Sequence, residues 1–181
     1  MPESVKNAKM HILLSEEELQ TRIAELAVEI SRDYEGLDPL FVCILKGSMP
    51  FFVDLSRKVS IPHRHDYLAV QSYEGTRSTG VVKFVADLSS SIEGQHVILV
   101  EDIVDTGLTM SYLLESLGAR GPASLKVATL LDKPSRREKP VEITYRGFEI
   151  PDQFVIGYGL DYEQYFRSLP YVAVLEQVPE L

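Results

Sequence analysis

Apolar positions recur along this chain with two spacings. From Ser15 to Asp33 they fall at Leu19, Ile23, Leu26, Ala27 and Ile30, the rhythm of a helix that buries one stripe. Ser15 can cap its first turn, and Glu18, three residues on, completes a capping-box pattern. "LFVCIL" (Leu40 to Leu45) is a continuous apolar run of strand length. "KGSMPFFVDLSRKV" then turns into a second helix, with Ser48 near its cap and Pro50 in its first turn. "YLAVQ" and "VVKFV" predict two strands around the polar loop "SYEGTRSTG", and "HVILV" predicts another. A helix follows from about Thr109 to Leu117, then a strand at "KVATLL", and short strands at "VEITY", "FVIG" and "YVAVL".

Continuously apolar strands that alternate with helices imply an α/β fold, a mainly parallel twisted sheet flanked by helices on both sides. Ligands of such sheets gather beyond the carboxyl ends of the strands. The loops after Leu45, Val100 and Leu131 leave such ends, so "KGS", "EDIVDTGLT" and "DKP" are expected to face one crevice.

Composition narrows the class. Hydrophobic content of 45% and charged content of 25% are ordinary for a globular protein, and 181 residues suit a single domain spanning 1–181. A net charge of −9 argues against nonspecific nucleic-acid binding, although a local basic pocket stays open. The single cysteine, Cys43, lies in an apolar run and is expected to be a buried structural thiol, which fits a reducing cytoplasm. The N-terminus carries no signal-peptide pattern, and no run approaches the roughly 18 apolar residues of a membrane span. The four histidines show no metal spacing.

The chemistry concentrates in "VILVEDIVDTGLT". Gly107, flanked by Thr106 and Thr109 and followed by a helix, can present backbone N–H groups, two hydroxyls and a positive dipole end to an anion. It is not a Walker A loop, because there is one glycine and Leu108 stands where lysine is expected. An ordinary strand-to-helix turn fits the same spacing. The paired acids Glu101 and Asp102 add a second function: adjacent carboxylates at a strand end can accept hydrogen bonds from vicinal hydroxyls or meet hydrated magnesium. A ribose phosphate offers hydroxyls to the acids and a phosphate to the loop.

This segment closely resembles the phosphoribosyl-pyrophosphate signature of phosphoribosyltransferases. With "ILKGSMPFFVDL", "SYEGTRSTG", "ATLLDKPSRR" and "GFEIPDQFVIGYGLDYEQYFRSLPYVAVL" in order, the chain from about Leu40 to Leu175 is similar to the hypoxanthine-guanine phosphoribosyltransferase family. The resemblance implies a type I fold with a small hood lobe, formed mainly by about 140–166 plus the N-terminal segment. It implies purine salvage: a 6-oxopurine is joined to phosphoribosyl pyrophosphate, giving IMP or GMP and pyrophosphate, with Mg²⁺ as cofactor and an oxocarbenium-like transition state.

The implied roles follow the matched positions. Glu101 and Asp102 hold the ribose hydroxyls, and Asp105, Thr106, Gly107, Leu108 and Thr109 form the 5-phosphate loop. Asp105 is the acid/base at purine N7, although an Asx-type turn would use the same residue. Lys46, Gly47 and Arg167 meet pyrophosphate, and Ser72 and Tyr73 belong to a lid. Lys133 donates to the 6-oxo group, which suits hypoxanthine and guanine because lysine carries donors only. Phe154 stacks on the purine, Val155 contacts its edge, and Asp161 joins the base pocket. Magnesium is associated with Glu101, Asp102 and Asp161. Tyr158, Tyr162 and Tyr165 are assigned to packing. The resemblance also implies a homodimer or homotetramer, small-molecule substrates, and neither nucleic acid nor membrane as partner. Xanthine as a further base stays open, and a regulator that keeps this fold as a ligand sensor is the reading from another class.

Overall fold

The computed structural model describes residues 8–72 and 82–176. Its larger sheet has six strands: β2 (Leu40–Leu45), β3 (Arg64–Ser72), β4 (Val82–Ala86), β5 (His96–Val104), β6 (Ser124–Asp132) and β7 (Tyr145–Glu149), in the order β4-β3-β2-β5-β6-β7. All neighbours run parallel except the β3–β4 pair, which is antiparallel. The strand order reverses direction between β2 and β5, and the crevice beyond such a reversal is where open α/β sheets bind ligands.

Alternate residues of the central strands feed two cores. Phe41, Cys43, Ile98, Val100, Ala128 and Leu130 pack against helices α1 (Glu16–Asp33) and α2 (Met49–Lys58). Val42, Ile44, Val97, Leu99 and Val127 pack against α3 (Leu108–Gly118) on the other face. The expected helix over Ser15 to Asp33 forms with its capping box: the Glu18 N–H donates to Ser15 Oγ at 3.3 Å, and the Ser15 N–H to Glu18 Oε2 at 2.8 Å. Its stripe, Leu19, Ile23, Leu26, Ala27 and Ile30, is buried. Burying each of the larger members is worth about 1.5–3 kcal/mol.

A second, antiparallel sheet joins β1 (Met10–Leu14), β8 (Val155–Ile156) and β9 (Val172–Leu175) in the order β1-β9-β8.

Four details differ from the pattern-based reading. β5 does not stop at Val100 but runs to Val104, because Ile103 and Val104 pair with Leu131 and Asp132 of β6. Glu101 and Asp102 are therefore strand residues, and the loops leave the sheet after Val104 and Asp132. The strand expected at "VEITY" forms instead at Tyr145–Glu149, as β7 of the large sheet. β1 was not expected at all. Ser48 stands at the cap position of α2, but its hydroxyl turns back to the Ile44 carbonyl at 2.5 Å and meets Cys43 Sγ at 3.2 Å. Cys43 is buried, and burial raises its thiol pKa, consistent with a structural thiol. Among the described residues, no helix is long and apolar enough to cross a membrane.

Candidate active site

Two adjoining hollows open beyond the carboxyl ends of β2, β5 and β6. The first, of about 250 Å³, is walled by Lys46, Gly47, Glu101, Asp102, Asp105, Thr106, Gly107 and Thr109, among others. The second, of about 320 Å³, is walled by Lys133, Arg136, Asp152, Phe154, Val155 and Asp161, among others. Asp102, Ile103 and Asp105 belong to both walls. Thus the end of one strand separates two compartments and faces each.

The turn after β5 is shaped for an anion. Gly107 has φ +82° and caps α3, whose first-turn N–H groups lie next to the hollow. The turn is braced from behind: the Glu138 and Lys139 N–H groups donate to the Thr106 carbonyl at 2.8 and 3.1 Å, and a Cβ at Gly107 would overlap the Lys139 carbonyl. Leu108 lies at the start of α3 with its N–H on Thr106 Oγ1 at 3.4 Å, but it is not part of the hollow's wall.

Opposite the turn, the Leu45–Lys46 peptide is cis, and Gly47 packs so closely on Asp102 that a Cβ there would overlap the carboxylate. Lys46 Nζ reaches Gln164 Oε1 at 3.5 Å. Arg167 is not among the wall residues of either hollow. It lies beside them, donating to the Gly159 carbonyl at 2.7 Å and pairing with Asp161 Oδ1 at 2.7 Å.

The paired acids are buried and poorly partnered. Glu101 Oε2 is shut from solvent without a hydrogen-bond partner. Burial, reinforced by the charge of Asp102, pushes the Glu101 carboxyl well above the usual range. Burial raises Asp102 too, although contacts with Glu101, the Ile103 N–H at 2.7 Å and Arg167 oppose the shift. Such a pair fits a cation or a set of hydroxyl donors, because either would supply what the fold withholds. Asp161 is engaged differently: Oδ1 faces Arg167, and Oδ2 accepts the Gln164 N–H at 2.7 Å.

On the second hollow, Lys133 is 5% exposed and donates to the Gln153 carbonyl at 2.7 Å. Its neighbour Asp132 is buried between Arg137 and Arg146. Phe154 leaves 47% of its surface exposed and meets Tyr162 edge-on at 6.1 Å, so it offers a free ring face. Val155 is buried in β8, and the Phe154 carbonyl accepts the Leu175 N–H at 2.9 Å. Ser72 ends β3 opposite Val82; Tyr73 lies outside the described residues.

Sequence reasoning missed Arg136, Asp152 and Gln153. Arg136 Nε lies 3.2 Å from Asp105 Oδ1, a buried oxygen with no properly aligned hydrogen bond, and its Nη1 lies 3.5 Å from Asp152. In "DKPSRR" and "IPDQF" these residues look like loop charges. Only their distance along the chain from Lys133 and Phe154 could have suggested them.

This pairing of a strand-to-helix turn with free N–H groups, buried acids and an adjoining hollow suits a phosphoribosyltransferase. Residues 12–163 match the phosphoribosyl transferase domain, and the chain belongs to that family. More particularly, it falls among the hypoxanthine-guanine members. It is 45% identical over 166 residues to hypoxanthine-guanine phosphoribosyltransferase of Bacillus subtilis, covering 91% of this chain and 92% of that one. The structure is similar to that of Trypanosoma cruzi hypoxanthine phosphoribosyltransferase in complex with the product IMP, with a TM-score of 0.87 at 44% identity, covering 93% of this chain and 94% of that one. It is also 46% identical over 180 residues, 99% of its length, to a Listeria monocytogenes protein named bifunctional protein TilS/HprT, but it spans only 28% of the length of that relative.

Proposed function

We propose that the chain transfers the phosphoribosyl group of phosphoribosyl pyrophosphate to hypoxanthine or guanine, giving IMP or GMP and pyrophosphate. The observation that carries this reading is the wall shared by the two hollows. Asp102 and Asp105 stand between a phosphate-shaped compartment and a base-sized one, where a bond between ribose and purine has to form.

In this reading the turn from Asp105 to Thr109, including the Leu108 backbone, holds the 5-phosphate. Glu101 and Asp102 accept from the ribose hydroxyls, and their field favours positive charge developing on the sugar. Lys46, Gly47 and Arg167 address pyrophosphate. Lys133 donates to the 6-oxo oxygen, Phe154 stacks on the ring, and Val155 and Asp161 border it. Purine N9 attacks the anomeric carbon as its bond to pyrophosphate oxygen breaks, while Asp105 takes or shares the N7 proton.

Glu101 and Asp102 would hold magnesium, with Asp161 beside them. The ion would neutralise charge on the departing pyrophosphate, and few protein ligands suffice because magnesium keeps water and substrate oxygens. The small sheet serves as a hood over the base, and Ser72 and Tyr73 form part of a lid that excludes water. The chain works in the cytoplasm as a homodimer or homotetramer. In support of self-association, Met49 and Val53 expose apolar surface on α2, whose Phe52 meets the ring of the 48% exposed Tyr67 of β3 at 5.7 Å.

The test is nucleotide formation from phosphoribosyl pyrophosphate and Mg²⁺ with each base separately. Hypoxanthine and guanine should turn over, and turnover with adenine alone would overturn the role of Lys133. Asp105→Asn should lower kcat by about 10²–10⁴-fold, the usual worth of positioned acid/base assistance, with little change in phosphoribosyl-pyrophosphate affinity. An unchanged kcat would remove Asp105 from that role.

A further inference from the structure

Tyr158, assigned above to packing, does more than fill space. It lies between Gly157 and Gly159, and all three have positive φ, at +92°, +47° and +102°. A side chain at positive φ is sterically disfavoured, so the surrounding structure must hold it there. The ring is 5% exposed. Its hydroxyl donates to Asp54 Oδ2 at 2.5 Å, and Gln20 Nε2 reaches both the same carboxylate oxygen, at 2.5 Å, and the phenol oxygen, at 3.2 Å. Gln20 is on α1 and Asp54 on α2, so one hydroxyl ties the turn to both helices. Burial and the Asp54 carboxylate raise the phenol's pKa, and the hydroxyl stays a donor.

The far side of this turn meets the Lys46–Gly47 loop. Gly159 packs against Gly47 so closely that a Cβ on it would overlap the Gly47 carbonyl. The Gly159 N–H donates to the Arg167 carbonyl at 2.9 Å, and its own carbonyl accepts from Arg167 Nη1 at 2.7 Å. These links reach Gly47 and Arg167, both assigned to pyrophosphate. None runs to Lys133 or to the turn after β5.

We propose that Tyr158 and Asp54 are a positioning pair for the pyrophosphate side of the site, holding the 157–159 turn, and through it Gly47 and Arg167, in place. The proposal rests on the function proposed above and adds to it two residues that touch no substrate. A shift of the turn would move the Gly47 backbone and the Arg167 guanidinium together, and would act on the base hollow only secondarily, through Asp161 and Asp102.

The experiment compares Tyr158→Phe, Asp54→Ala and Asp54→Asn with the parent, using calorimetric titration of Mg²⁺-pyrophosphate and, separately, of IMP. IMP occupies the base and 5-phosphate compartments but not the pyrophosphate side. Tyr158→Phe and Asp54→Ala should weaken pyrophosphate binding by about tenfold, the scale of losing one hydrogen bond to a charged group, and change IMP binding by less than about twofold. Asp54→Asn keeps an acceptor for the phenol and should recover pyrophosphate binding to within about threefold of the parent. Equal losses for both ligands, no loss for either, or an Asp54→Asn variant as weak as Asp54→Ala would overturn the pair's role, because mere packing predicts no such split. A parent protein that binds IMP but not pyrophosphate overturns this inference alone. One that binds neither overturns the proposed function with it.

Discussion

Replacing Glu101 by glutamine should stabilise the free protein and cripple the enzyme. Glu101 Oε2 is buried without a partner, beside a second buried acid. An uncompensated buried polar group costs about 1–3 kcal/mol, more when charged. A glutamine of the same shape removes the charge and can donate to Asp102. At about 2–4 °C per kcal/mol for a chain of this size, Glu101→Gln should raise Tm by roughly 2–12 °C near neutral pH.

The sign of the pH dependence provides a control. Burial raises the Glu101 pKa in the folded chain above its unfolded value. Between those two values the folded state binds the extra proton, so the parent loses stability as pH rises through the window. Below about pH 4.3, the ordinary glutamate value, both states are protonated and the penalty vanishes. The advantage of Glu101→Gln should therefore shrink on acidification. Scanning calorimetry near about pH 8 and about pH 4, without substrate or metal, measures both terms. A variant that melts below the parent at the higher pH, or whose advantage persists undiminished in acid, would refute a buried uncompensated charge. The same variant loses an acceptor for the ribose hydroxyls, and kcat/KM should fall by roughly 10- to 150-fold.

Two further outcomes follow from the geometry. Lys133→Met, which keeps length but removes the donor, should lower kcat/KM for hypoxanthine by roughly 10- to 150-fold and leave pyrophosphate affinity unchanged; steady-state kinetics with hypoxanthine as the varied substrate, beside pyrophosphate titration, checks this. Gly47→Ala places a methyl on the Asp102 carboxylate and should cost about 1–3 kcal/mol in a denaturant melt, with loss of turnover; unchanged stability would mean the loop can move away.

Legibility in the sequence followed how local each signal is. The capping box of α1 and the apolar run of β2 are properties of adjacent residues, and both formed where pattern placed them. β5 runs past its apolar stretch because pairing with β6 carries it through Glu101 and Asp102, and no local pattern reports a partner strand. β7 was hidden by its glycine. Gly147 would normally weaken a strand, but here it lets the backbone approach Leu130 more closely than any side chain allows. Arg22 of α1 then covers this edge by donating to the Arg146 and Gly147 carbonyls. The proposed ribose-phosphate site could be read from the sequence because its acids and turn are contiguous. The base side required resemblance, since Lys133 and Phe154 are ordinary residues until folding brings them to one hollow. The Tyr158–Asp54 tie had no sequence signal, because its partners stand 104 residues apart.

The order of the small sheet bears on synthesis. β9 is its central strand, yet it follows both neighbours in the chain. On the ribosome, every strand of the large sheet emerges before residue 150, so the first hollow can assemble on a nascent chain. β1, translated first among these strands, must wait for β9 before it has an edge to pair with. The small sheet beside the second hollow is thus completed by the last strand to arrive, and a chain stopped short of Val172 would leave that sheet unmade beside an otherwise folded one.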